Sequence, residues 1–540
     1  MLSFSNISKM QGGELLIDGA SFQINPGEKV GLVGPNGAGK TTLFRMVIGE
    51  EIPDKGAISF PNGMRLAYFS QNVGEMRGRT ALQEVEEGDP QIRQLKLKMA
   101  ECEERLADYE NISEDQMAVI LEQMGEVQTE FEKRGGYDLE SRAQEILTGL
   151  GIAPHDHNKK VEDFSGGWKM RIALAKVLVL NPDLILMDEP TNYLDMETIQ
   201  WLEEWLKNFK GAIFMTTHDR VFMKAIAKKI VEISNRKITV YNGDYEFYLK
   251  EKEVRLNQIK AEHARQAQTL MKEEEFIARF KARASHAAQV QSRVKKLEKI
   301  DRVEIPPDEE SIDFEFPTPP MSSEDVVIMD NLGKFWPDSN GNPISIFSGL
   351  TGIVRRREKI AVVGVNGAGK STFLKVVSGQ TDPTSGSIRL GPSTRLGYFS
   401  QYSLEIMKGE NTVFEQIRDG LPNASDGYLR NLLAAFLFKG DEVFKKVKVL
   451  SGGEKSRLVL ATLLSQNNNL LVLDEPTNHL DIQSREVLLN ALVKYEGTIL
   501  FVSHDRYFLH ALAAKVFEVD HGGITIYPGN YGYYLGKHNH

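Results

Sequence analysis

Residues 31–42 read GLVGPNGAGKTT and residues 361–372 read AVVGVNGAGKST. Each stretch grows out of a short apolar run, Val30–Gly34 or Ile360–Gly364, and leads into a helical pattern. A strand, a GxxxxGK[ST] turn and a helix in that order make a phosphate-binding loop. Glycines let backbone N–H groups approach phosphate oxygens, and the helix N-terminus adds a favourable dipole. Outward from the loops the repetition continues. AYFSQ ends at Gln71 and GYFSQ at Gln401, both 31 residues after the loop lysine. SGGWKMR from Ser165 pairs with SGGEKSR from Ser451, and LILMDEPTNYLD pairs with LLVLDEPTNHLD. The interval from Ser165 to Asp188 is 23 residues, as is that from Ser451 to Asp474. His218 and His504 follow their aspartates by 30 residues, and the halves close on YNGDYEFYL and YPGNYGYYL. Motifs matched in order and spacing mark a duplication.

The residue types say what each half is for. Gly34, Asn36, Gly37 and Gly39, with Gly364, Asn366, Gly367 and Gly369 in the second half, form the phosphate cradles. Lys40 and Lys370 are expected to reach the β- and γ-phosphates, and the hydroxyls of Thr41 and Ser371 to hold Mg²⁺, with Thr42 and Thr372 beside them. LILMD and LLVLD read as buried strands that end in an acid. Asp188 and Asp474 are the expected Mg²⁺ partners. Glu189 and Glu475 follow directly, where a carboxylate can orient and activate the attacking water. Ser165, Gly166 and Gly167, and Ser451, Gly452 and Gly453, open helices and form a second kind of anion site.

The 540 residues exceed one core, so several folded units are expected. With 41% hydrophobic and 26% charged residues and a net charge of −10, the chain does not read as a uniformly basic nucleic-acid-coating protein. The single cysteine, Cys102, forms neither a disulfide framework nor a cysteine zinc site, which fits a reducing compartment. No secretory signal or membrane span is expected, and the cytoplasm is the expected location.

One interval breaks the symmetry. Gln71 to Ser165 spans 94 residues, against 50 from Gln401 to Ser451. The extra residues fall near 91–134, where Ile92, Leu95, Met99, Cys102, Leu106 and Tyr109, then Met117, Ile120, Met124, Val127 and Phe131, step by three and four. That seam predicts a helical hairpin projecting from the first half, with Ser113 and Gln116 as a capping box. Residues 246–302 lack Gly and Pro and predict a helical linker, and 303–320 carries five prolines and should be extended. Residues 276–302 hold eight basic and two acidic side chains, a net +6 that suits RNA phosphates, whereas 91–134 is net −5.

Together these features resemble the ABC-F ATPases, and the pair FSGGW and LSGGE with the linker FIARFKARASHAAQVQSRVKKLEK is most similar to the YheS-type branch. The resemblance implies an α/β fold of two tandem P-loop ABC ATPase domains with a helical hairpin insertion and a helical inter-domain linker. The first cassette is placed at 1–245 with its arm near 91–134, the linker at 246–325 and the second cassette at 326–540. It implies a monomer closed head to tail, Lys40 facing Ser451 and Lys370 facing Ser165, with ATP and Mg²⁺ at both interfaces. Gln71 and Gln401 would sense Mg²⁺ and water, and His218 and His504 would contact the γ-phosphate. Trp336 stands near the expected base-stacking position, where the first half has Met10 and Gln11, and Trp168 replaces Glu454 of the second signature, so unequal sites are expected. The family binds the ribosome near the tRNA exit site, the linker meeting rRNA and P-site tRNA. The acidic arm points to ribosomal protein, or to rRNA only through Lys96 and Lys98. Ribosome protection against antibiotics and an ABC-transporter ATPase subunit stay open as alternatives. The zinc cysteines of DNA-repair cassettes and the very long coiled coils of chromosome-organising ones are both missing.

Overall fold

The computed structural model describes residues 1–540 apart from 71–73, 75, 108–112, 193, 281–290, 292–296, 298–316, 338–342, 401, 402, 404–406, 479, 521, 539 and 540. Gln71, Gln401, Tyr109, most of the basic stretch and most of the proline-rich stretch therefore lie outside the described residues.

The apolar runs become central strands because both of their faces are covered. In the first half, Leu66–Phe69, Leu184–Asp188, Ala212–Thr216, Lys29–Val33 and Lys229–Ser234 line up in parallel, and Lys237–Tyr241 adds an antiparallel edge. Leu184, Leu186 and Phe214 face a layer made by the helix Lys40–Ile48 and a three-stranded antiparallel sheet, Glu14–Ile24, Leu2–Gln11 and Lys55–Ser59. Ile185, Met187, Ile213 and Met215 alternate to the other face, under the helices Gly166–Leu178 and Met196–Asn208. The second half repeats this order with Leu396–Phe399, Leu470–Asp474, Thr498–Val502, Lys359–Val363, Lys515–Asp520 and Gly523–Tyr527.

The repeated closing motif has a packing role. Tyr241 and Tyr248 both donate their hydroxyls to buried Glu232, at 3.0 and 2.9 Å. Tyr527 and Tyr534 converge in the same way on Glu518, at 2.9 and 2.7 Å. Each pair ties the edge strand to the helix that follows it. In the first half that helix is Tyr245–Phe280, 36 residues and about 54 Å long, which leads away toward the second half. Its root, with Tyr245 and Tyr248, belongs to the first core.

The insertion is a pair of packed helices, Pro90–Ala107 and Glu114–Lys133. Ser113 and Gln116 close the anticipated capping box on the second of them. Ile92, Cys102, Ile120 and Phe131 are buried in the seam, and Ile92, Leu95, Met99 and Phe131 join the root of the hairpin to the first core. Among the described residues no helix is long and apolar enough to cross a membrane.

Candidate active sites

Two of the glycines cannot be replaced without distortion. Gly39 takes φ 95° as it turns the loop into the helix, and a Cβ on Gly364, at φ 140°, would lie 2.2 Å from the carbonyl oxygen of Val519. These backbones leave room for the lysines to fold over the loops. Lys40 Nζ donates to the Gly34 and Pro35 carbonyls at 2.8 and 3.0 Å, and Lys370 Nζ to those of Gly364 and Val365 at 2.8 and 3.0 Å. Burial lowers both lysine pKa values, while nearby carboxylates favour the charged forms.

The strand ends bring the acids to the loops. Thr41 Oγ1 lies 2.7 Å from Asp188 Oδ2, and Ser371 Oγ lies 3.1 Å from Asp474 Oδ1. Each pair offers a hydroxyl and a carboxylate, the hard oxygen donors that Mg²⁺ takes alongside substrate phosphates. Asp188 also accepts from Thr216, at 2.7 Å. The second strand has Val502 at that register, opposite Asp474, and burial together with Glu475 pushes Asp474 up to about 6.

Glu189 and Glu475 are the strained members. Both are non-glycine residues at positive φ, 54° and 51°, a conformation that costs about 1–2 kcal/mol and concentrates at functional sites. Backbone bonds to Thr216 and Val502 hold them there. Burial pushes both carboxyls up to about 7, against Arg485 and Lys40 at the first and Lys370 and Arg485 at the second. His218 N–H donates to Glu189 Oε2 at 3.0 Å. His218 Nε2 lies 3.4 Å from Glu189 Oε1, and His504 Nε2 3.2 Å from Glu475 Oε1. Burial drives both imidazoles toward neutrality, His504 down to about 3. Glu189 Oε1, both carboxylate oxygens of Glu475 and His218 Nδ1 are buried without a hydrogen-bond partner. Buried polar atoms of this kind call for an explanation, and a water with a triphosphate end fits the acceptors and the ring nitrogens.

The anticipated difference between the signatures has a local cause. Ser451 and Glu454 form a capping box, at 3.3 and 2.7 Å. Trp168 removes the reciprocal partner, and the Ser165 side chain caps nothing. Trp168 instead stacks on the Arg171 guanidinium, 4.5 Å from the ring centre. Trp336 is exposed at the end of the strand Asp325–Pro337, with the Lys334 ammonium 4.3 Å from its ring centre.

The halves meet head to tail, through residues that motif reading passed over. Arg171, fully buried, pairs with Asp195 at 2.9 Å, and Asp195 Oδ2 accepts the backbone N–H of Asn366 in the opposite phosphate loop, at 3.2 Å. Burial opposes ionisation of Asp195, but Arg171 and Thr198 outweigh it and hold the carboxyl below its ordinary range. Asp481 occupies the matching place and favours the charged form of Lys40. Arg220 reaches Glu486 at 2.5 Å and Arg506 reaches Glu203 at 2.8 Å, and Met196 packs into the second core. The sequence signal for Asp195 and Asp481 was the repeated LD that ends each DEPTN motif. Arg220 and Arg506 were marked by the repeated HDR that each histidine opens, but their acid partners had no signal, because Glu203 and Glu486 stand at different places in their helices.

A family model described as ABC transporter matches residues 17–192 and 347–478, and a second of the same description matches 231–316. The putative ATP-binding protein YdiF of Bacillus subtilis is 36% identical over 99% of this chain and 83% of its own length. The probable ATP-binding protein YheS of Escherichia coli is 35% identical over 98% of this chain and 80% of its own. ABC transporter F family member 5 of Arabidopsis thaliana is 34% identical over 99% of this chain and 77% of its own. Among solved structures, the archaeal ribosome recycling factor aABCE1, crystallised with the ribosomal stalk protein aP1, superposes with a TM-score of 0.61 at 18% identity, over 97% of this chain and 88% of that one. That likeness is one of fold.

Proposed function

This chain is a member of the ABC-F family of ATP-binding proteins, similar to its YheS-type members, and from that premise we propose that it hydrolyses ATP at two interfacial sites to act on the ribosome. It binds near the tRNA exit site and modulates the P-site tRNA and peptidyl-transferase state as it turns over, working in the cytoplasm as a monomer with an intramolecular sandwich.

The observation that carries the catalytic half is the pair of buried, strained carboxylates, Glu189 with one unpartnered oxygen and Glu475 with two, at the ends of the strands that also deliver Asp188 and Asp474. A carboxyl raised to about 7 is a matched base near neutral pH. Glu189 or Glu475 orients a water and takes its proton as the oxygen attacks the γ-phosphorus, and the bridging oxygen leaves with ADP. Neutral His218 and His504 offer ring nitrogens to the γ-phosphate, and Lys40 and Lys370 leave their loop carbonyls for phosphate oxygens. Thr41 with Asp188, and Ser371 with Asp474, are the residues that would hold Mg²⁺, which supplies charge neutralisation on the phosphates. The contact between Asp195 and Asn366 supports the pairing of Ser165 with Lys370, and the influence of Asp481 on Lys40 supports that of Ser451 with Lys40.

The ribosomal half rests on family membership and on the net +6 of residues 276–302 in a chain of net −10. The fold neighbour is a ribosome recycling factor, a compatible use of the same architecture. A double Glu189→Gln, Glu475→Gln variant tests both halves. It should bind ATP yet lose turnover by about 4 kcal/mol or more in barrier, and with ATP it should accumulate in the ribosome pellet. Near-normal turnover would remove the two glutamates from the mechanism. Pelleting with membranes instead would favour a transporter subunit.

A further inference from the structure

Arg485 stands at the matching place to Ile199, since each is four residues after its interfacial aspartate, Asp481 or Asp195. Ile199 is buried in the first core. Arg485 instead turns to the interface. Its Nε donates to the carbonyl of Leu480 at 3.0 Å and its Nη1 to Asp505 Oδ2 at 3.1 Å, both within the second cassette. The same Nη1 donates across the interface to the backbone carbonyl of His218, at 3.3 Å. The guanidinium is 14% exposed and Asp505 10%, so the charge is held within the contact rather than in solvent.

The peptide groups around His218 are thereby fixed on both sides. The His218 N–H is given to Glu189 Oε2, while the His218 carbonyl is held by the opposite cassette. We propose that Arg485 is a positioning residue acting in trans on the Glu189 site, holding His218 against Glu189 only when the cassettes are closed. Among the described residues no side chain from the first cassette is seen on the His504 carbonyl, and Ile199 has no donor to offer it. The trans contact at the Lys370 site is the carboxylate of Asp195 on the N–H of Asn366, a hold on the phosphate loop and not on the histidine. Asn366 is accordingly half-buried, while Asn36 is exposed. The first site is thus gated at its water-activating pair and the second at its phosphate cradle. Arg485 also opposes the upward push of burial on Glu189, where it is the foremost opposing charge, and on Glu475, where Lys370 comes first; it favours neutral His218, as Lys370 and Arg171 favour neutral His504.

The inference rests on Glu189 being a catalytic base, and the test keeps the two apart. Steady-state ATPase is measured on the full chain carrying Glu475→Gln, so that the Glu189 site is the one read, with Arg485 wild-type or changed to Leu, Gln or Lys, with Ile199→Leu at the mirrored position, and with Glu189→Gln. Arg485→Leu should lower kcat roughly tenfold or more with KM nearly unchanged, as expected when a catalytic group is displaced by a fraction of an ångström. Arg485→Lys should recover part of the loss, Arg485→Gln less, and Ile199→Leu should keep its kcat within about twofold, in the range of a volume-conserving core change. If Arg485→Leu does not fold, the order of Lys over Gln carries the test. Unchanged kcat in Arg485→Leu, a rise in KM alone, a loss that lysine does not relieve better than glutamine, or an equal loss in Ile199→Leu would each overturn the inference. Full turnover in Glu189→Gln would overturn the base assignment, and this inference with it.

Discussion

Glu475→Gln should stabilise the ligand-free second cassette, and the gain should grow with pH. Glu475 is 15% exposed, and neither carboxylate oxygen has a hydrogen-bond partner. Its carboxyl titrates at 4.5 when free and is pushed up to about 7 in the fold by burial. That gap is worth at most about 3 kcal/mol. The folded value is the higher one, so the folded state binds the extra proton between the two. The contribution is fully present below 4.5 and is lost as pH rises through about 7. Glutamine keeps the shape and does not titrate. The stability of the variant relative to the native chain should therefore rise by up to about 1.4 kcal/mol per pH unit across that window and then level off. His504 works in the opposite sense. Its pKa is lowered from 6.5 to about 3, so its contribution is present above 6.5 and fades as pH falls. It is common to both proteins and cancels in the difference. Asp474 adds to the effect, since the Glu475 charge helps push it up to about 6 and the variant removes that charge. The assay is thermal melting without nucleotide or Mg²⁺ over a series of pH values. The gap in melting temperature for the second cassette should open by roughly 6–12 °C at its upper bound. A gap that stays constant with pH would refute a buried, partnerless carboxylate at this position.

The two cross-interface ion pairs should differ in weight. Arg506→Ala strands Glu203, which is 8% exposed, and should weaken ATP-driven closure by about 3 kcal/mol; Arg220→Ala acts on Glu486, whose side chain is 48% exposed, and should cost about 1 kcal/mol or less. Energy transfer between labels on the two cassettes, titrated with ATP, reads both, and equal midpoints would refute the ranking. Tyr534→Phe removes the 2.7 Å hydrogen bond to Glu518 and should lower second-cassette stability by about 1–2 kcal/mol; an unchanged melting curve would dismiss the tyrosine lock.

What could be read in the chain, and what could not, divides along the range of the contact. The phosphate loops, DEPTN and the histidines were legible because each is a local answer to one local demand: a strand of fixed length delivers a carboxylate to a loop at fixed distance, so the spacing survives in both halves. The capping box of Ser113 and Gln116 was legible for the same reason, being complete within four residues. The closing tyrosines were visible as a repeat but silent about purpose, because their common partner, Glu232 or Glu518, lies on a neighbouring strand and belongs to no motif. The partners in the trans contacts were not legible, even where one member, such as Asp195 or Arg506, lay in a repeated motif. Arg485 and His218 are separated by 267 residues, and Arg506 and Glu203 by 303. Comparing the halves works against finding them. Duplication shows what the cassettes share, whereas Ile199 against Arg485, and Glu203 against Leu489, are places where they diverged. Divergence at such places has a physical consequence. In a closed sandwich of two unlike halves, each interfacial position meets its counterpart's neighbours rather than its own copy, so a substitution there bears unequally on the two sites. The differences between Trp168 and Glu454 and between Ile199 and Arg485 fall on opposite sites by this geometry. The second site has a signature serine whose hydroxyl caps nothing, and the first has its histidine held by an arginine from across the interface. Turnover of the Glu189→Gln and Glu475→Gln single variants should then differ, and equal turnover would refute an inequality built into the way the two linked cassettes are joined.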